Sequence, residues 1–272
     1  MSKLIVHKSG NPEYPAIVFL HGASVSSWMW DEQVKHLQDA YYCLAIDLPG
    51  SGESYQIPWL SLTESASLVA DVIRAEVPGQ KAHIVGLSLG GYVAVRLLEN
   101  HPEQLLSVIA SGITARPFST QWLIRCMLFV MSRISRWDIM IRMNSKMMNI
   151  PEYALELYRR DCKNMPPDML SRIFREVLPF QLTKLEDVRT RPFLAVAGEK
   201  EAALILQSLE DFPRCIEGAV AALVPGGSHF WSAEKSELFS EMIRSWIQSK
   251  TLPEGIQVQE PVEKESLRVS VA

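Results

Sequence analysis

The sequence predicts an α/β protein built on a parallel, helix-covered sheet, and three observations carry that expectation. Short apolar runs recur along the 272 residues. Stretches of helical period separate them, so strand and helix alternate. The runs themselves are apolar throughout rather than every second residue, which is the pattern of strands buried on both faces.

The first such run, 17–20, reads Ile-Val-Phe-Leu and opens into His21-Gly22-Ala23 and a serine-rich loop. Helical spacing over 28–38 leads to a strand at 42–46 and a Gly-rich turn at 47–54. A helix at 63–77 precedes a strand at 83–85, and another helix covers 89–100. That helix should stop near Asn100, because His101 can interact with its negative end and Pro102 disfavours continuation. A strand follows at 106–110. The alternation then breaks, since 115–189 holds helical patterns and no convincing strand, which marks an inserted cap. Strands return at 193–197 and 220–224, with helices expected at 202–212 and 233–249. The segment 251–272 mixes Pro253, Pro261, alternating charges and scattered valines, and is expected to be a loose tail without catalytic residues. The expected division is therefore a core of 1–114 and 190–250, a cap of 115–189 and a tail.

The composition excludes several classes. With 27 Lys and Arg against 31 Asp and Glu, 47% hydrophobic and 21% charged residues, the chain has a globular balance. A net charge of −4 lacks the basic excess that holds a protein on nucleic acid. No apolar run approaches the roughly 18 residues of a spanning helix, and residues 1–10, with Lys3 and Lys8, do not read as a secretion signal. Membrane and nucleic acid are thus not expected as partners, and a cytoplasmic location is. Cys43, Cys126, Cys162 and Cys215 lie far apart, which suggests neither a disulfide framework nor a zinc site. No ligand spacing for a metal or cofactor is evident, and nothing in the sequence signals an oligomeric state.

The cap differs in texture from the rest. Eight of the 11 methionines fall in it, and residues 115–190 carry a net +5 against −9 for the remainder. Methionines there read first as fillers of irregular gaps, and second as an adaptable lining for an apolar substrate. The Arg159-Arg160 pair reads as a solvated helix face before an anion site.

The strongest chemical signal is Gly86-Leu87-Ser88-Leu89-Gly90, set between a strand and a helix. A serine on such a sharp turn stands exposed as a nucleophile, and small flanking residues are needed where the backbone passes close to its neighbours. Serine needs a base, and histidine has the suitable pKa and geometry. His229, in Gly226-Gly227-Ser228-His229-Phe230, follows the strand at 220–224 and so lies at the strand-end edge that also carries Ser88. The loop opened by His21-Gly22-Ala23 could supply the Ala23 amide, and Leu89 a second amide, to a developing oxyanion. The turn at 47–54 lacks the lysine of a phosphate-binding loop and reads as structural. Trp28, Trp30, Phe230 and Trp231 flank the site in sequence, with Trp28 and Phe230 as the expected substrate-pocket residues.

Taken together, His21-Gly22, the turn at 47–54, the Ser88 elbow and the late His229 resemble the α/β-hydrolase superfamily across about 4–249. The resemblance implies an eight-stranded, mostly parallel sheet, its first two strands abbreviated here, with a helical cap inserted after strand 6. It implies a serine esterase with Ser88 as nucleophile, His229 as base, and Ala23 and Leu89 as the oxyanion hole. The serine at the elbow excludes relatives that use aspartate there to dehalogenate or open epoxides. The acid departs from the pattern: after the strand at 193–197 the chain reads Gly198-Glu199-Lys200-Glu201, which places glutamate, Glu201, where aspartate is usual. Glu199 and Asp211 are weaker candidates, so Glu201 is assigned as the acid, with a solvated carboxylate at a helix start as the alternative. The alternative family position, Ser111-Gly112-Ile113-Thr114, offers no carboxylate. The same scaffold also supports lyase-like or C-C bond-cleaving chemistry with the same Ser and His, or ligand binding with little turnover.

Overall fold

The computed structural model describes residues 3–148, 150–185 and 191–259. Its strands are β1 Val6–Ser9, β2 Ala16–Leu20, β3 Tyr42–Ile46, β4 Ala82–Leu87, β5 Leu105–Ser111, β6 Phe193–Gly198, β7 Val220–Val224 and β8 Gln257–Gln259. They form one sheet in the order β1-β3-β2-β4-β5-β6-β7-β8. Only the two edges, β1 on β3 and β8 on β7, are antiparallel. The chain passes from β2 to β3 on one side and then crosses to β4 on the other, so β2 and β4 flank a topological switch point. Open α/β sheets bind ligands at the carboxyl ends of the strands at such points.

The helices are α1 Asp31–Leu37, α2 Leu62–Glu76, α3 Leu89–Asn100, α4 Gln121–Ile134, α5 Asp138–Met147, α6 Leu155–Asn164, α7 Met169–Val177, α8 Ala203–Ser208, α9 Phe212–Cys215, α10 Trp231–Glu234 and α11 Ser236–Ser249. Ser61 caps α2 by accepting from the Glu64 amide at 2.9 Å, the first half of a capping box. The central strands split their side chains between two cores. Val18 and Leu20 join the layer of α2 and α3, whereas Ile17 and Phe19 face Trp30, Phe239 and Trp246 on the side of α1 and α11. Both faces being covered, every residue of β2 has an apolar partner on one side of the sheet or the other, which is why its sequence shows no polar alternation.

Three expectations need correction. The helix expected over 202–212 is two short ones, α8 and α9, because Pro213 has no N–H to continue a ladder and is instead accommodated in the first turn of α9. The expected loose tail begins later than residue 251: Ile256 is buried, and β8 pairs with β7, while 260–272 lie outside the described residues. One strand, β1, precedes β2 among the described residues where the resemblance implied two, and β8 restores the count to eight, while the insertion follows the strand at 105–111, β5, where it was expected. The inserted segment holds α4, α5, α6 and α7.

Candidate active site

Ser88 joins β4 to α3 with φ 52° and ψ −116°, a left-handed conformation costly for a side chain other than glycine. The neighbouring glycines make the turn possible by close approach. A Cβ at Gly86 would overlap the Gly90 carbonyl, and one at Gly90 would overlap the carbonyl of Leu20 in β2. The Ser88 amide donates to the Ser111 carbonyl at the end of β5 at 2.8 Å, which fixes the turn against the next strand. Leu89 is the first residue of α3, where amides have no carbonyl one turn earlier in the helix.

The loop after β2 passes directly over this turn. A Cβ built on Gly22 would stand 3.6 Å from the Ser88 Cβ, so Ala23 lies one residue beyond a van der Waals contact with the serine. His21, fully buried, holds the loop: its Nδ1 donates to the Gly22 carbonyl at 2.7 Å, and its Nε2 accepts from the Leu48 amide at 3.0 Å. Burial pushes its pKa down, so it is a neutral structural residue. Asp47 accepts from the amides of Ser27 and Glu53, both at 2.8 Å. Burial raises its carboxyl, and the hydrogen bonds from His7 and Ser27 outweigh this and hold it below the usual carboxylate range. The turn at 47–54 therefore braces the loop.

His229 Nδ1 stands 2.6 Å from Glu201 Oε2, and the Glu201 side chain is 1% exposed. The solvated alternative for Glu201 does not describe this structure. The other Glu201 oxygen, Oε1, is buried without a hydrogen-bond partner. The imidazole lies against Gly112, at φ +67°, just past β5. Because Ser111 holds the Ser88 amide and Gly112 receives the His229 ring, the strand end sets Ser88 and His229 on adjacent residues of one support. No hydrogen bond joins Ser88 to His229 among the described residues. Catalytic pairs are often long before a substrate draws them together.

The weaker acid candidates are engaged elsewhere. Glu199 accepts from the Gly226 amide at 2.8 Å and so braces the histidine loop, and Asp211 pairs with Arg116. Ser228 donates through its Oγ to Glu234 at 2.7 Å, closing the other side of that loop. Thiol chemistry is disfavoured at two of the cysteines, since burial pushes Cys43 up to about 12 and Cys162 up to about 11.

Phe230 meets the His229 ring edge to face, with centroids 5.3 Å apart. With Trp28, Met29, Met148, Ile150 and Tyr153 it lines an apolar cavity of about 260 Å³, which neither Ser88 nor His229 lines. Trp28 is mostly buried, and its indole N–H donates to Asp161 Oδ2 at 2.7 Å. Trp30 and Trp231 are core residues rather than pocket walls: both are fully buried, with Trp231 donating to Ser111 Oγ at 3.0 Å. Sequence reasoning missed Asp161. This buried carboxylate on α6 accepts from Ser26 Oγ at 2.6 Å as well as from Trp28, and so ties the inserted helices to the loop that carries Ala23. Nothing local distinguishes it from the other acids of the insertion. Gly112 was also missed as a seat for histidine, its positive φ being the sole hint a glycine there could give. Among the described residues no group of three or more His, Cys, Asp or Glu side chains is placed to hold a metal ion.

The sequence model of the alpha/beta hydrolase family matches residues 17–241. An AB hydrolase superfamily protein of Gibberella zeae is 26% identical over 267 residues, covering 93% of this chain and 87% of that protein. A pimeloyl-[acyl-carrier protein] methyl ester esterase of Nitrosomonas europaea is 33% identical over 114 residues, 42% of each chain. Among solved structures, a thermophilic esterase from Thermogutta terrifontis superposes with a TM-score of 0.72 at 23% identity, covering 90% of this chain and 93% of that one, a likeness of fold.

Proposed function

The chain belongs to the alpha/beta hydrolase family, and on that premise we propose that it is a serine hydrolase that cleaves a small or medium carboxylic ester through an acyl-enzyme. The observation that carries the reading is the 2.6 Å contact between His229 Nδ1 and the buried Glu201 carboxylate. A carboxylate accepts, so Nδ1 bears the proton in the neutral ring and Nε2 keeps its lone pair, the form a general base requires. Ser88 Oγ attacks the ester carbonyl carbon while His229 Nε2 takes its proton. Glu201 stabilises the imidazolium so formed. The amides of Ala23 and Leu89 donate to the developing oxyanion. Collapse of the intermediate expels the alcohol, which receives the proton from His229. Water then attacks the acyl carbon with His229 again as base, and the carboxylic acid leaves with Ser88 restored.

The similarity to an esterase of Nitrosomonas europaea supports ester substrates, and the apolar cavity beside Phe230 supports a chain or ring of modest size. Trp28 and Phe230 are the substrate-contacting residues of this reading. Hydrolysis of p-nitrophenyl acetate and butyrate tests it. The wild type is expected to turn over both, with Ser88→Ala and His229→Ala reduced to background. A folded wild type that hydrolyses neither, while still binding apolar carbonyl compounds, would transfer Ser88 and His229 to lyase-like or binding roles.

A further inference from the structure

Eleven of the sixteen large apolar side chains that stand exposed among the described residues fall between Trp122 and Leu155. Soluble proteins scatter such residues singly, and a concentration of this kind marks an interaction surface. No described side chain of α4 is buried. The helix rests on α7 through one edge and turns Trp122, Leu123, Met127 and Val130 outward, Trp122 being 72% exposed. On α5, Ile139, Met143 and Met147 recur every four residues and form a second exposed apolar stripe.

The charges around this face are predominantly positive. Residues 121–147 contain five Lys and Arg and a single carboxylate, Asp138, although the whole chain is −4. Asp138 is already engaged by Arg159 and Lys163, at 3.1 and 3.3 Å. No ion pair among the described residues engages Arg125, Arg136, Arg142 or Lys146, all of them exposed. Arg133 lies over the Phe129 ring, 3.5 Å from its centroid. Aromatic and aliphatic side chains with uncompensated arginines on one helical surface are the physical signature of a helix lying in a lipid interface. No helix among the described residues is long and apolar enough to cross a membrane, so contact with a bilayer would be along its surface. A second copy of the chain fits less well, since a two-fold contact would set the same cationic face against itself.

We propose that the outer face of α4 and α5 docks the protein on an anionic lipid bilayer. Trp122, Leu123, Val130 and Met143 enter the boundary between headgroups and acyl chains, and the arginines meet lipid phosphates. This docking does not depend on the ester-hydrolase reading.

The test is co-sedimentation of the full chain with phosphatidylcholine vesicles, with and without phosphatidylglycerol, at low and high salt. Binding is expected with phosphatidylglycerol at low salt, and to weaken with salt or without the anionic lipid. Arg125→Gln and Arg136→Gln are expected to lower partitioning about fivefold each, and Trp122→Ser with Leu123→Ser at least about tenfold. Val258→Ser removes an exposed apolar side chain outside this face and should leave binding unchanged. Circular dichroism verifies that the variants fold. Failure of the wild type to bind anionic vesicles overturns the proposal, as does binding that survives the Trp122 and Leu123 substitutions. A dimer in light scattering that Trp122→Ser dissociates, without vesicle binding, would assign the face to self-association and overturn it equally.

Discussion

Replacing Gly112 by alanine alters the histidine seat without replacing any group proposed to react. A Cβ there would stand 2.8 Å from His229 Cε1, 2.9 Å from Nδ1 and 3.0 Å from Glu201 Oε1. Ordinary contact begins at 3.4 Å, so the ring must retreat by about 0.6 Å, the difference between 3.4 and 2.8 Å. A displacement on the order of 1 Å in a catalytic group costs up to about 100-fold in rate, so kcat should fall about 10- to 100-fold. Alanine at φ +67° adds a backbone penalty of about 1–2 kcal/mol, a loss of about 2–6 °C in Tm for a chain of this size. Gly218→Ala separates the two effects. It has φ +72° and nothing within 4 Å of the added Cβ, so it carries the backbone penalty alone. Initial rates on p-nitrophenyl acetate and thermal unfolding of both variants are the assay. The expected result is a loss of Tm in both, at least as large in Gly112→Ala, and a loss of kcat confined to Gly112→Ala. Wild-type kcat in Gly112→Ala, or an equal rate loss in Gly218→Ala, would refute the reasoning.

Glu201→Gln should lower kcat by about 10³- to 10⁴-fold, because the amide removes the charge that stabilises the imidazolium; a change within a factor of about three in steady-state kinetics would remove Glu201 from the triad. Asp161→Ala withdraws the acceptor shared by Ser26 and Trp28 and should cost about 3 kcal/mol in chemical denaturation, with kcat reduced through the Ala23 loop. Asp161→Asn, which keeps one acceptor oxygen, should lose less of both, and an unchanged midpoint in Asp161→Ala would refute the clamp. His83 is buried, and burial together with the charge of Lys250 lowers its pKa to about 4. The unfolded chain takes up this proton near pH 6.5 and the folded chain only near pH 4, so stability is lost as pH falls through that window. The loss approaches about 3 kcal/mol. Denaturation midpoints against pH should be flatter in His83→Asn, and an identical slope would contradict this assignment.

What could be read from the sequence follows from where each structural cause lies. β3 and β7 have the expected bounds, and α3 begins and ends as expected, because a strand covered on both faces and a helix between Ser88 and Pro102 leave continuous local signals. β1, Val-His-Lys-Ser, and β8, Gln-Val-Gln, are short, partly exposed edges held only by their neighbours' backbones, so neither composition nor period announces them. The same division runs through the site. The Ser88 turn is visible because its glycines answer a local steric demand, and Glu201 because its spacing from β6 is local. Asp161 acts on residues 133 and 135 positions away, and Gly112 acts on a ring from another loop. Such relations exist only once the chain has folded. Trp30 and Trp231 flank the site in sequence as closely as Trp28 and Phe230 do, and it is the fold that separates the two pairs by turning Trp30 and Trp231 into the core.

The central claim, that Ser88 is a nucleophile activated by His229, is tested most directly by reacting the purified protein with a fluorophosphonate probe and locating the adduct by peptide mass spectrometry. The account predicts a single adduct on the peptide that contains Ser88, absent in Ser88→Ala and strongly reduced in His229→Ala. A folded wild type that remains unlabelled, or an adduct on any other residue, would contradict it.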